Sequence, residues 1–176
     1  MKRGSYLFAS FSIGDWTVDT CREMIETLSY RTESPLICDP IEVFSDGNDD
    51  YVTALPEYYW AGYINYGQLV KIRQKGRVVD KVRKIIYGNP TLEDIETTDV
   101  ENFNGILRER LGRLVRKTKC FSKRKRRLIS ATHLFQFYWN FINEFKRDKS
   151  PGMMDGLTNH IWSWGEFFRF KLTIVN

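Results

Sequence analysis

The residues best suited to chemistry lie between positions 100 and 127, where a carboxylate precedes an intensely basic run. Glu101 is near the start of a predicted helix, in the sequence VENFNGILRERLGRLVRKTKCFSKRKRR. Residues 108–127 hold eleven Lys and Arg against one acid, Glu109, which gives them a formal charge of +10, whereas the whole chain carries +5. Such localised positive charge attracts a polyanion, and a nucleic-acid backbone is the expected partner.

A second carboxylate, Asp46, follows the predicted strand 41–45 and opens the turn Asp46-Gly47-Asn48. An Asp in this position is most often a turn residue. Glu101 could similarly serve only to complement the dipole of its helix. Each carboxylate therefore has a structural interpretation beside a catalytic one.

Composition limits the kind of protein this can be. The 176 residues are 42% hydrophobic and 15% aromatic, which is enough for a full core and favours one domain. No run approaches the roughly 18 apolar residues of a membrane span, and MKRGSYLF turns polar too early for a secretory signal, so we expect a cytoplasmic protein. Three widely spaced cysteines and two isolated histidines predict reduced thiols and no zinc site.

Strand-like and helical segments alternate in the first half of the chain, which indicates an α/β fold. Residues 6–13 predict a strand. Residues 18–28 predict a helix, capped by Asp15 or Thr17. A further short helix is predicted near residues 54–60.

A β-hairpin is predicted from residues 69–72 and 78–87, around a Lys75-Gly76 turn. Its polar face would carry six basic residues, namely Lys71, Arg73, Arg77, Lys81, Arg83 and Lys84.

The second half is predicted to be helical, with an aromatic tail. The helix that begins near Val100 should bury a stripe of Phe103, Leu107, Leu111 and Leu114, while Glu101, Asn104 and Arg108 share another face. Residues 128–145 predict a buried closing helix that includes His133 as a core residue. We expect residues 1–150 to form one domain, and residues 151–176 to pack on it as a tail with Trp162 and Trp164 as structural anchors.

Four ordered blocks of the chain resemble one known family. Residues 100–123 (VENFNGILRERLGRLVRKTKCFSK) are similar to the block that ends the catalytic domain of the IS-one family of insertion-sequence transposases. Residues 13–21 (IGDWTVDTC) and 43–51 (VFSDGNDDY) resemble the family's first-helix turn and its second catalytic strand. Residues 156–164 (GLTNHIWSW) resemble its C-terminal tail, so the likeness extends from about residue 6 to 168.

The resemblance implies an RNase H-like fold with a DDE triad that holds two Mg²⁺ or Mn²⁺ ions for DNA strand cleavage and transfer. Position by position, Asp46 matches the second catalytic Asp and Glu101 the final Glu, so both are expected as catalytic residues and metal ligands. Residues of the same block are expected to bind DNA, namely Asn104, Arg108, Arg113, Arg116, Lys117, Lys119 and Lys123. The expected partners are the terminal inverted repeats and target DNA, with a homo-oligomer in the transposition complex of a prokaryotic mobile genetic element. When bound to DNA, the cytoplasmic protein would associate with the nucleoid.

The family's first catalytic Asp has no counterpart in the sequence, because it lies two strands before the segment that matches residues 6–13. We therefore expect an RNase H-like fold truncated at its N-terminus. Three explanations are open: a truncated or decayed element, an upstream or frameshifted reading frame that encodes the first strands, or replacement by Asp15 if residues 6–13 take the central strand position. The leading function is a DNA transposase; the alternatives are an inactive remnant that only binds DNA or full-length transposase, and a basic nucleic-acid-binding module without enzymatic activity.

Overall fold

A computed structural model describes residues 1–115 and 119–170, and its internal contacts divide the chain into two compact units. The sheet unit comprises Ala9–Asn104. The helical unit comprises Met1–Phe8 and Gly105–Asn176. None of the described helices is long and apolar enough to cross a membrane.

The sheet unit is built on a three-stranded mixed sheet in the order β1-β2-β3. Strand β1 (Ile41–Asp46) runs parallel to β2 (Ile64–Gln74), which pairs antiparallel with β3 (Arg77–Tyr87). Lys75 and Gly76 join β2 to β3 with φ values of 48° and 79°, the two positive values that a type I′ hairpin turn requires. The expected hairpin and the α/β class are confirmed.

Two helices cover one face of this sheet. Helix α1 (Val18–Ser29) begins after Thr17, whose hydroxyl accepts from the Thr20 amide at 3.4 Å, so the cap is Thr17 rather than Asp15. Helix α2 (Asp50–Tyr58) starts earlier than expected, and a 3₁₀ turn (Ala61–Tyr63) leads from it into β2. Together with the sheet they enclose a core of Cys21, Ile25, Ala54, Leu55, Tyr59, Ile64 and Tyr66.

The opposite face is covered by the segment that precedes helix α3 (Thr98–Arg110). After a 3₁₀ turn (Leu92–Asp94), Ile95 is fully buried against Gly67 of β2. A Cβ atom at Gly67 would lie 2.5 Å from the Ile95 side chain, so only glycine permits this close approach. The approach fixes where α3 begins, and with it the position of Glu101.

The helical unit contains α4 (Lys125–Phe137), which continues into a π-helical turn (Tyr138–Ile142). A short α5 (Pro151–Met154) and α6 (Trp164–Arg169) follow, and a 3₁₀ turn (Gly112–Leu114) lies after α3. Trp162 packs against Phe137 with ring centroids 5.6 Å apart, so the described part of the aromatic tail contacts α4.

Several sequence-based expectations need correction. Residues 6–13 form no strand; the Phe8 amide donates to Asn140 Oδ1 at 2.8 Å, and Gln136 Nε2 donates to the Phe8 carbonyl at 2.7 Å. Side chains of α4 and the π-helical turn thus take the place of a neighbouring strand. Helix α3 ends at Arg110, which leaves the expected stripe residues Leu111 and Leu114 outside it.

His133 lies on α4 as expected, but it is exposed rather than in the core. Leu134 beside it is 46% exposed, because the buried face of α4 consists of Thr132, Phe135 and Gln136. The expectation of a largely buried helix therefore holds for one face only.

Candidate functional site

Asp46 is the last residue of β1, at the carboxyl end of the strand, and it is exposed. It pairs in register with Leu69 of β2. Side chains alternate along a strand, and paired residues point to the same face, so the register alone assigns Asp46 to the face of Leu69 and Lys71.

Glu101 lies in the first turn of α3 and is held by two donors. The Lys71 ammonium donates to Glu101 Oε1, and the Thr97 hydroxyl donates to the same oxygen at 2.5 Å. These hydrogen bonds, first that from Lys71 and then that from Thr97, lower the pKa of the Glu101 carboxyl below its ordinary value. Glu101 is therefore ionised at neutral pH.

Lys71 joins Glu101 to the sheet, since its ammonium contacts that carboxylate directly. The β1–β2 register assigns Asp46 to the same face, but the negative charge of Asp46 acts on Cys21, Tyr51 and Tyr66, which belong to the helix-covered core on the other face. The sequence did not reveal Lys71 and Thr97 as partners of Glu101, although Lys71 had been placed on the polar side of the hairpin.

Further basic side chains extend this face along the hairpin. Lys81 is paired with Lys71 across the strands, and Arg83 is paired with Leu69. Arg83 also donates to the Ile95 carbonyl at 3.1 Å and forms an ion pair with Glu96. Of the six basic residues expected on one polar face, Arg77 and Lys84 belong to the other face, because they pair with Gln74 and Gln68.

The negative charge of Asp46, at the carboxyl end of β1, acts on the Tyr51 phenol and the Cys21 thiol. Burial raises the pKa of the Tyr51 phenol, and the negative charge of Asp46 adds to that effect. Burial also raises the pKa of the Cys21 thiol, with further contributions from Asp50 and Asp46. Cys21 is therefore a neutral core residue at neutral pH rather than a thiolate nucleophile.

The described residues do not fit a complete two-ion site. Nowhere in residues 1–115 and 119–170 do three or more His, Cys, Asp or Glu side chains come together in a group that could hold a metal ion. Asp46 and Glu101 could supply oxygen ligands to magnesium, but the Lys71 ammonium already contacts the Glu101 carboxylate. We therefore derive no reaction step through metal ions.

Asp15 does not complete the site. It is exposed in the turn before α1, where its carbonyl accepts from the Thr17 amide at 2.9 Å. Residues 6–13 supply no strand that could carry it to the sheet, so the expectation that Asp15 might replace the first catalytic Asp is wrong.

The expected DNA-binding residues are exposed wherever the structure describes them. Glu101, Asn104 and Arg108 are spaced to lie on one face of α3. The Arg113 guanidinium donates to Ser122 Oγ at 2.9 Å, which ties the turn after α3 to a later part of the basic run. Lys119 and Lys123 are exposed, whereas Arg116 and Lys117 lie outside the described residues.

Charge is divided sharply between the two units. The sequence of the helical unit contains 18 Lys and Arg against five Asp and Glu, a formal charge of +13. The sheet unit contains nine Lys and Arg against 17 Asp and Glu, a formal charge of −8. The two carboxylates thus belong to an acidic unit, and the basic run belongs to the other.

Comparison with known proteins identifies no relative: no family model matches the chain, and neither a curated protein nor a solved structure matches it significantly.

Proposed function

We propose that this chain acts on DNA as the catalytic part of an insertion-sequence transposase, with Asp46 and Glu101 as two of its catalytic carboxylates. The observation that supports the proposal is that Asp46 ends β1 at its carboxyl end, while Glu101, in the first turn of α3, contacts Lys71 on the neighbouring strand β2. Such an arrangement suits phosphodiester chemistry, because carboxylates can hold a hard cation while an ammonium group contacts a phosphate oxygen.

The RNase H-like fold is part of this proposal. The parallel pairing of β1 with β2 is compatible with an RNase H-like fold. The placement of α1 and α2 on one face of the sheet, and of the start of α3 on the opposite face, is compatible with it as well. Within the described residues, β1 pairs with β2 alone. Its other edge is where the strand that carries the family's first catalytic Asp would pair.

DNA binding is supported by basic residues of the helical unit that have no acidic partner. In the part of the chain that the structure describes, Lys and Arg at positions 119–127 form no ion pair. Exposed, unneutralised cations are the groups that displace counterions from a phosphate backbone. Mg²⁺ or Mn²⁺ is the proposed cofactor, in a site to which Asp46 and Glu101 contribute only part of the ligands.

The experiment is a DNA-joining assay with purified protein, Mg²⁺, and labelled DNA ends taken from the element that encodes this chain. Asp46→Asn and Glu101→Gln should each abolish joining. Asp49→Asn and Glu109→Gln are matched controls, since both are exposed acids near the same elements, and they should join normally. Joining that survives Asp46→Asn or Glu101→Gln would contradict the assignment.

A second candidate, a transposase remnant that binds DNA or full-length transposase without catalysis, is favoured by one observation. The described residues assemble no group of three metal-binding side chains. In the same assay this candidate predicts DNA binding by the wild-type protein with no joining at any Mg²⁺ concentration. Absence of DNA binding would exclude the first candidate and would leave, of the second, only binding to full-length transposase.

A further inference from the structure

A row of three aromatic rings crosses the described part of the tail. Tyr138 and Trp164 are nearly parallel, with an interplanar angle of 6° and ring centroids 6.0 Å apart. Phe168 continues the row at 6.1 Å from Trp164, with an angle of 26°. Trp164 and Phe168 are four residues apart on α6, so the helix itself aligns the last two rings.

The row is anchored at one end and open at the other. The Tyr138 hydroxyl donates to Asn143 Oδ1 at 3.2 Å, which fixes the inner ring. Trp164 is 40% exposed, and Phe168 at the outer end is 76% exposed. An aromatic row that ends in solvent offers a ready position for one more flat ring.

A cavity of about 310 Å³ is lined by His160, Trp162, Glu166, Arg169 and Phe170, of which Glu166 and Arg169 lie on the same helix as the outer two rings. Arg169 Nε donates to the Gly165 carbonyl at 3.2 Å, which holds the guanidinium at the cavity wall. The negative charge of Glu166 is already engaged by the Ser163 hydroxyl at 2.8 Å and by His160 Nε2 at 3.0 Å. Arg169 is therefore the group in this lining that suits an anionic ligand.

The charge of the unit indicates which flat ligand would approach. The row belongs to the helical unit, whose formal charge is +13. That positive charge favours a ligand that is a polyanion over a protein surface with few acidic residues. Bases in a duplex have their faces covered by their neighbours, whereas unpaired bases expose a face that an aromatic side chain can stack on.

We propose that Phe168, backed by Trp164 and Tyr138, stacks an unpaired base of single-stranded DNA while Arg169 contacts the adjoining phosphate. The proposal rests on the proposed function in that both require DNA as the ligand. It adds a site for unpaired bases, formed by residues other than the two carboxylates.

The test is fluorescence anisotropy with a labelled dT₂₀ oligonucleotide and, in parallel, a labelled 20-base-pair duplex. Phe168→Leu removes the stacking ring and keeps an apolar side chain, and it should weaken dT₂₀ binding about tenfold while changing duplex binding less than twofold. Phe168→Tyr retains a ring and should bind like the wild type. Tyr30→Leu is the matched control, because Tyr30 is 81% exposed on the sheet unit, and it should have no effect.

Thermal unfolding of each variant by circular dichroism checks that α6 and its neighbours remain folded. Unchanged dT₂₀ binding by Phe168→Leu, with normal duplex binding, would overturn the aromatic site and leave the proposed function intact. An equal loss for dT₂₀ and duplex would also overturn it. Failure of the wild-type protein to bind either DNA would instead contradict the proposed function.

Discussion

The two units differ in where their basic side chains have acidic partners. In the sheet unit, three basic residues form ion pairs: Arg22 with Glu57 and Asp19, Lys71 with Glu101, and Arg83 with Glu96. In the helical unit, Lys2 pairs with Asp155, but the described Lys and Arg at positions 119–127 have no such partners. The sheet unit is thus suited to hold carboxylates in fixed positions, whereas the helical unit is suited to bind a polyanion.

The largest expected effect comes from breaking the core of the sheet unit. Ile25 is 1% exposed, and Ile25→Ala should lower the free energy of unfolding by about 2–5 kcal/mol through lost burial and a residual cavity. Hydrogen exchange followed by mass spectrometry should show faster exchange in α1 and α2 and unchanged exchange in α4. Ile37→Ala is the control, because Ile37 is 74% exposed. Equal acceleration in both units would show that they unfold together and do not behave as separate bodies.

The next effect tests whether the helical unit carries the phosphate contacts. Arg124→Gln combined with Arg126→Gln should reduce the slope of log K against log salt concentration for duplex DNA by about 2, roughly one per lost contact. Arg22→Gln combined with Arg31→Gln removes the same charge from the sheet unit, where both side chains already have protein partners. That control should leave the slope unchanged, and a similar decrease in both double variants would remove the distinction between the units.

The smallest effect concerns the Lys71–Glu101 pair. In Lys71→Met, the pKa of Glu101 should rise toward its ordinary value, because the first of its two donors is lost. A carboxyl with a depressed folded-state pKa stabilises the fold above its unfolded-state pKa, and that stabilisation is lost as pH falls through the lower value. With the Glu101 side chain 47% exposed, the contribution should be at most about 1 kcal/mol.

Carboxyl chemical shifts from an NMR titration of wild type and Lys71→Met would measure this change in pKa. Thr97→Val, which removes only the second donor, should move the Glu101 pKa in the same direction by a smaller amount. An unchanged Glu101 pKa in Lys71→Met would show that the ion pair does not form in solution.

Local patterns predicted the elements whose signals are short-range. The Lys75-Gly76 turn, the strand that ends at Asp46 and the Thr17 cap of α1 each depend on a few adjacent residues, and each was foreseen in type or position. The expected strand at residues 6–13 failed for the opposite reason. A strand needs a neighbour, and side-chain amides more than a hundred residues away satisfy that backbone instead.

The candidate site shows the same limit. The resemblance proposes Asp46 and Glu101 as site residues, but neither spacing nor composition indicated that Lys71 would contact Glu101. That contact depends on the close approach of Ile95 to Gly67, which is a tertiary feature. His133 was expected to be buried, but it is exposed, because the buried face of α4 consists of Thr132, Phe135 and Gln136.

The most direct test of the division between the units measures DNA binding and DNA joining in the same samples of wild type and Glu101→Gln. We predict that the wild type binds and joins DNA in Mg²⁺, and that Glu101→Gln loses joining while its DNA affinity stays within about twofold of wild type, since one exposed charge is removed outside the basic unit. Joining by Glu101→Gln, or binding lost together with joining, would contradict the assignment of chemistry to the sheet unit and DNA binding to the helical unit.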